Sequence, residues 1–172
     1  MHLKEVFGQD VIRKRIEEMA KDISSDFQDK PLVTVCVLKG AFIFYADLVR
    51  SMSIDPEMDF VRMSSYGDQT SSSGKVIFSK DMEIPIKGKH VLIVEDIVDT
   101  GRSVSYLRRV LEARGPQSIS VCALIDKHER REVDVKVDYA GFALQRGFIV
   151  GYGLDYAEKY RNLPGVFEIV PD

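Results

Sequence analysis

Four apolar residues, Val91-Leu92-Ile93-Val94, run directly into two adjacent carboxylates, Glu95 and Asp96, and no other junction in the chain is as constraining. The apolar run has the length and composition of a buried strand. Ile97 and Val98 follow, then a polar turn, Asp99-Thr100-Gly101-Arg102-Ser103. Beyond it Val104, Leu107, Val110 and Leu111 recur at helical spacing. The order is strand, acidic pair, hydroxyl-rich turn and helix, the building unit of an α/β protein.

The turn has a chemical reading. A helix N-terminus carries unpaired N–H groups and partial positive charge, so Thr100 to Ser103 form a cradle suited to a phosphate monoester. Gly101 is expected to let the backbone approach such a ligand closely. Glu95 and Asp96 would repel a phosphate and suit sugar hydroxyls or a hard cation such as Mg2+. Asp99, beside the cradle, is placed to exchange a proton with whatever is bonded to the sugar. The plainer alternative, Asp and Ser as helix caps, leaves the acidic pair without a reason.

Composition narrows the remaining classes. A chain of 172 residues, 45% hydrophobic and 30% charged, suits one domain over residues 1–172 with a sizeable core. Its net charge of −3 argues against a nucleic-acid platform. No apolar run approaches a membrane span, and the first ten residues lack a signal peptide's apolar stretch. Cys36 and Cys122 lie in strand-like runs and read as buried reduced thiols, compatible with a cytoplasmic protein.

Taken in order, residues 10–27 form an amphipathic helix through Ile12, Ile16, Met19, Ile23 and Phe27. Residues 32–38 read as a buried strand ending at Lys39-Gly40, with a helix from Phe42 to about Arg50. Strand character returns over 58–64 and 76–78, separated by the polar stretch SYGDQTSSSGK at 65–75. Gly115-Pro116 ends the central helix, residues 118–125 form another buried strand, and 166–170 a closing one. The alternation predicts an α/β fold with a mostly parallel central sheet flanked by helices.

Several positions carry two readings each. Lys39 lies just past the carboxyl end of a strand, where open α/β sheets bind ligands, yet a surface lysine before a turn glycine would look the same. Residues 65–75 are either a lid over a reacting group or an unstructured loop without function. Gly74-Lys75 is not a phosphate-binding P-loop, because the spacing from Gly67 is wrong and Val76 replaces the required hydroxyl residue. Lys127 emerges at the same sheet edge as Lys39 and is either a ligand contact or a solvated charge. Residues 129–136 read as a solvated connection, and no histidine spacing suggests zinc. Gly151-Tyr152-Gly153 opens like a dinucleotide fingerprint but has Tyr156 where the third glycine belongs.

VLIVEDIVDTGRSV resembles the phosphoribosyl-pyrophosphate motif of the type I phosphoribosyltransferases, and the likeness extends from about Val6 to Val170. With LKG at 38–40, Ser65-Tyr66, Lys127 and FIVGYGLDYAEKYR at 148–161, the chain resembles the hypoxanthine-guanine branch of that family. The resemblance implies a small hood built from the terminal parts, a long flexible active-site loop beginning at Ser65 and Tyr66, and a homo-oligomer, dimer or tetramer. It implies transfer of the 5-phosphoribosyl group from phosphoribosyl pyrophosphate to hypoxanthine or guanine, releasing pyrophosphate and giving IMP or GMP.

It also implies roles. Leu38, Lys39 and Gly40 would bind pyrophosphate, with a cis peptide at Leu38-Lys39. Thr100, Gly101, Arg102 and Ser103 would hold the 5-phosphate. Lys127 would donate to the 6-oxo group, Phe148 would stack on the purine and Ile149 would contact its edge through backbone atoms. Asp155 would lie near the base and a second Mg2+, and Arg161 would reach pyrophosphate. Glu95 and Asp96 would serve ribose and metal, and Asp99 would be the general base. A transferase for xanthine or another base, and a regulatory protein keeping the sugar-phosphate site but binding RNA or DNA, are the competing expectations.

Overall fold

The computed structural model describes residues 1–66 and 75–172, except the side chains of residues 65, 66 and 75. Its elements run β1 (His2–Phe7), α1 (Gln9–Asp26), β2 (Leu32–Leu38), α2 (Phe42–Ser51), β3 (Glu57–Tyr66) and β4 (Lys75–Lys80). They continue with β5 (His90–Val98), α3 (Arg102–Glu112), β6 (Ser118–Lys127), β7 (Tyr139–Leu144), β8 (Ile149–Val150) and β9 (Val166–Val170). The proposed lid, 65–75, lies outside the described residues apart from its backbone ends in β3 and β4.

Six strands form one sheet in the order β4-β3-β2-β5-β6-β7, parallel throughout except for β4, which runs antiparallel to β3. The expected mostly parallel α/β sheet is therefore present. Its central strands are buried on both faces, which is why they read as continuous apolar runs without alternation. Cys36, Leu92, Val94, Cys122 and Leu124 pack with α1 and α2. The intervening Val33, Val35, Val37, Val91 and Ile93 pack with Leu107 and Leu111 of α3. A buried side chain of this kind contributes about 1.5–3 kcal/mol. Both cysteines are buried and free. Burial, with help from Glu95 and Asp96, pushes the Cys36 thiol up to about 12.

Register determines what meets at the carboxyl ends of the strands. Cys36 pairs with Val94, so Leu38, Lys39 and Gly40 end beside Glu95 and Asp96. Val98 pairs with Asp126, which aligns the following residues, Asp99 and Lys127. Strand β5 continues through the acidic pair to Val98, and β6 reaches Lys127. Strand β5 thus continues well past Val94, and β6 continues past Ile125 to Lys127.

The hood expected of the terminal parts is a three-stranded antiparallel sheet, β1-β9-β8. The sequence alone predicts none of β1, β7 and β8. Most of β1 is exposed and carries no apolar run. In β7, Gly141 marks a close approach: a Cβ there would meet the Leu124 carbonyl oxygen at 2.5 Å.

Candidate active site

Strand β5 delivers Glu95 and Asp96 to the floor of a cleft of about 300 Å³, whose walls include Val37, Leu38, Asp99, Thr100, Gly101 and Ser103. Glu95 is buried, and burial drives its carboxyl well above the usual carboxylate range, with Asp96 adding repulsion. Burial raises Asp96 as well, opposed by hydrogen bonds and by the positive charge of Arg161. The pair is short of positive charge, a donor set that suits a cation. Among the described residues, no three His, Cys, Asp or Glu side chains converge on one metal-sized point. Asp155 lies 3.4 Å from Arg161 Nη2.

Glycine backbones let three distant segments meet at this floor. A Cβ on Gly40 would lie 1.9 Å from Asp96 Oδ2, and one on Gly153 would lie 2.1 Å from the Gly40 carbonyl oxygen. Gly153 also has φ +99, so it needs glycine for conformation as well as space. Arg161 closes the stack by donating to the Gly153 carbonyl at 2.7 Å, while the Gly153 N–H bonds the Arg161 carbonyl at 2.9 Å. The Leu38-Lys39 peptide is cis.

The turn after β5 leads into α3 through Gly101, whose φ is +84, and no side chain of that residue caps the helix. Thr100 Oγ1 accepts from the Arg102 N–H at 3.3 Å, and the Arg102 guanidinium pairs with Glu132 at 2.5 Å. Gly101 faces protein here: a Cβ would strike the Val133 carbonyl oxygen at 2.6 Å. Both the φ of +84 and the 129–136 connection packed against the turn require glycine there.

That connection is not the solvated run expected from its charges. Its backbone N–H groups at Glu132 and Val133 both bond the Thr100 carbonyl, at 2.9 and 3.0 Å. Arg131, only 17% exposed in its side chain, donates to the carbonyls of Asp99 (2.9 Å), Val98 (3.1 Å) and Lys127 (3.0 Å) and to Asp126 Oδ1 (2.5 Å). One guanidinium thus ties the end of β5 to the end of β6. Its neighbour Arg130 approaches Asp99 Oδ2 at 3.5 Å, and Asp99 Oδ1 is buried with no hydrogen-bond partner among the described residues. Nothing in the sequence singled out Arg131, because one arginine among alternating charges carries no periodic signal.

A second hollow, about 460 Å³, adjoins the end of β6 and is lined by Lys127, Glu129, Arg130, Arg146, Gly147, Phe148 and Glu168. The Lys127 side chain is only 7% exposed, with Glu129 at 3.8 Å. Phe148 is half exposed and meets Tyr156 edge to face at 5.5 Å. Ile149 buries its side chain at the edge of the hood. Because the Phe148 carbonyl bonds the Ile169 N–H, antiparallel alternation turns the Ile149 N–H and C=O away from β9, toward the unpaired edge.

At the outer rim, Lys39 Nζ lies 3.1 Å from Glu158, and Arg161 Nη2 lies 3.3 Å from the same carboxylate. Lys39 is the main cause holding the Glu158 carboxyl below its usual range. The Arg161 Nε is buried with no hydrogen-bond partner among the described residues. Glu158 was not a sequence candidate; a lone glutamate in DYAEKYR has nothing to distinguish it.

The arrangement puts a helix start, an acidic pair and two rim cations at one sheet edge, and the chain as a whole is similar to known proteins. Residues 2–157 match the family model described as the phosphoribosyl transferase domain. A hypoxanthine-guanine phosphoribosyltransferase of Bacillus subtilis is 42% identical over 168 residues, spanning 98% of this chain and 93% of that protein. A hypoxanthine phosphoribosyltransferase of Salmonella typhimurium is 45% identical over 161 residues, 92% of this chain and 90% of that one. The crystal structure of a hypoxanthine-guanine phosphoribosyltransferase from Bacillus anthracis superposes with a TM-score of 0.92 at 42% identity, covering 98% of this chain and all of that one. Sequence, topology and the strand-edge cleft agree: this chain belongs to the phosphoribosyl transferase domain family.

Proposed function

We propose that this chain transfers the 5-phosphoribosyl group of phosphoribosyl pyrophosphate to hypoxanthine, guanine or both, giving IMP or GMP and pyrophosphate. The observation that carries the base assignment is the buried Lys127 ammonium in a hollow shared with an exposed aromatic face, Phe148. An ammonium has donors and no acceptor, so it suits a 6-oxo group and meets the amino group of adenine donor to donor. Discrimination is large when a buried polar group would be left unpaired. The outward N–H and C=O of Ile149 add two fixed contacts for a base edge.

The first cleft takes the sugar phosphate, with the phosphate on the amides at the start of α3 and Ser103 and Thr100 beside it. Glu95 and Asp96 face the ribose hydroxyls, and Lys39 and Arg161 receive pyrophosphate. Mg2+, held largely by ligand oxygens with help from one or two of Glu95, Asp96 and Asp155, would neutralise the leaving group. Purine N9 forms the new bond to the anomeric carbon while pyrophosphate departs with the electron pair of the broken C–O bond. The N7 proton passes to Asp99, whose Oδ1 has no hydrogen-bond partner among the described residues. The ribosyl group passes through an oxocarbenium-like state, which the surrounding protein must shield from water.

Initial rates with phosphoribosyl pyrophosphate and Mg2+ against hypoxanthine, guanine, xanthine and adenine test this reading. Turnover of either 6-oxopurine with adenine refused is the expected result. Tight binding of phosphoribosyl pyrophosphate without turnover of any base would overturn it. Lys127→Ala is expected to relax base discrimination, and a variant that still refuses adenine and uses hypoxanthine normally removes Lys127 from the role.

A further inference from the structure

The rim contains a residue that breaks its own local rule. Tyr156 and Lys159 exchange backbone hydrogen bonds at 3.1 and 3.0 Å, closing a two-residue turn around Ala157 and Glu158. Both central residues have positive φ, +51 and +67. A turn of that shape favours Asn-Gly or Gly-Gly, because residues with a Cβ are strained there. Glutamate is a poor choice for the turn, so its side chain must supply the reason for being there. That side chain lies 3.1 Å from Lys39 Nζ and 3.3 Å from Arg161 Nη2. The Glu158 N–H, bonded to Asp155 Oδ2 at 2.9 Å, holds the turn in place.

We propose that Glu158 is a resident counter-anion, which occupies Lys39 and Arg161 in the free enzyme, yields to pyrophosphate on binding and re-forms its pairs as pyrophosphate leaves. This rests on the reading that those two cations receive pyrophosphate. Both contacts are solvent-exposed on the Glu158 side, so they are weak enough to exchange with a multiply charged ligand. They also keep two cations from repelling each other, and from holding the product too tightly, when no ligand is present. The effect is on ligand exchange and leaves the groups that act on the anomeric carbon untouched.

The test is calorimetric binding of inorganic pyrophosphate with Mg2+ to the full chain, alongside pyrophosphate product inhibition. Glu158→Gln keeps shape and removes charge. It is expected to bind pyrophosphate about three- to tenfold more tightly, with a matching fall in the product-inhibition constant and in KM for phosphoribosyl pyrophosphate. In Lys39→Gln, pyrophosphate binding weakens, and adding Glu158→Gln to it recovers less than the substitution gains in the wild type. Glu158→Gly relieves the turn and is expected to raise Tm while still tightening pyrophosphate binding, a combination that a merely structural ion pair would not give. If Glu158→Gln binds pyrophosphate no better than wild type while Lys39→Gln weakens it, the counter-anion role is wrong and the pyrophosphate site stands. If Lys39→Gln leaves pyrophosphate binding unchanged, the underlying reading of the rim is wrong and the counter-anion role falls with it.

Discussion

The inner wall of the cleft and its outer rim are built on opposite principles. The inner wall, Asp96 against Gly40 against Gly153, leaves no room for one added carbon at either glycine. The rim, Lys39 with Glu158 and Arg161, consists of ion pairs of 3.1 to 3.3 Å that reach into solvent. Burial fixes groups that must stand in one place, because moving them means moving packed backbone. Exposed charge pairs hold groups that must exchange partners, because water and ligand substitute for the lost contact at small cost. A site that binds and releases an anion at every turnover needs both.

The largest effect expected is chemical and lies on the inner side. Asp99→Asn should lower kcat about 10²- to 10⁴-fold with phosphoribosyl pyrophosphate binding preserved, read from steady-state rates and calorimetry. An unchanged kcat would remove Asp99 as the base. Next comes the packing of the inner wall. Gly40→Ala should destabilise the protein by about 1–3 kcal/mol and raise KM for phosphoribosyl pyrophosphate, since Asp96 must shift to admit the methyl group. A variant with wild-type Tm and KM would mean the wall is softer than it looks, and the contrast with the rim would fail.

Arg131→Met sharpens the comparison, because Arg131 lies between the two hollows. Losing its hydrogen bonds to three carbonyls and Asp126 should lower stability by about 1–2 kcal/mol and reduce kcat and base discrimination together. Arg131→Lys should recover little, since one ammonium lacks the planar fork that spans both strand ends. A loss of stability alone, with kinetics intact, would reduce Arg131 to a brace. The smallest effect provides the reference for an ion pair outside the site. Arg114 holds Asp81 with two bonds, at 2.9 and 2.6 Å, and keeps its carboxyl below the usual range. A depressed carboxyl contributes stability above its unfolded pKa and loses it as pH falls through the folded one. Asp81→Asn should therefore lower stability by no more than about 0.5–1 kcal/mol near neutral pH, with the difference from wild type vanishing below the carboxylate range. Thermal melts across that range measure it.

Legibility in the sequence followed how local each signal was. The β5 stretch, Thr100 to Ser103 and the α3 stripe are contiguous, and the structure assembles them as strand, turn and helix. Gly40 and Lys39 could be placed at a strand end because Leu32–Leu38 is an apolar run interrupted only by Thr34. Arg131, Glu158 and Gly153 could not, since each acts through a partner far away in the chain. The packing constraint on Gly101 is equally remote: its neighbour, Val133, sits 32 residues on.

By itself, then, the sequence determined the α/β alternation, the two-faced burial of the central strands and the chemistry available after β5, because these depend on periodicity and on residue types within a few positions. Only the tertiary structure decided that Asp99 aligns with Lys127, that Arg131 joins them and that Glu158 reaches both rim cations. Parallel strands are linked through helices and long connections, so which ends meet is a matter of register between distant segments, and register is set by the packed core as a whole.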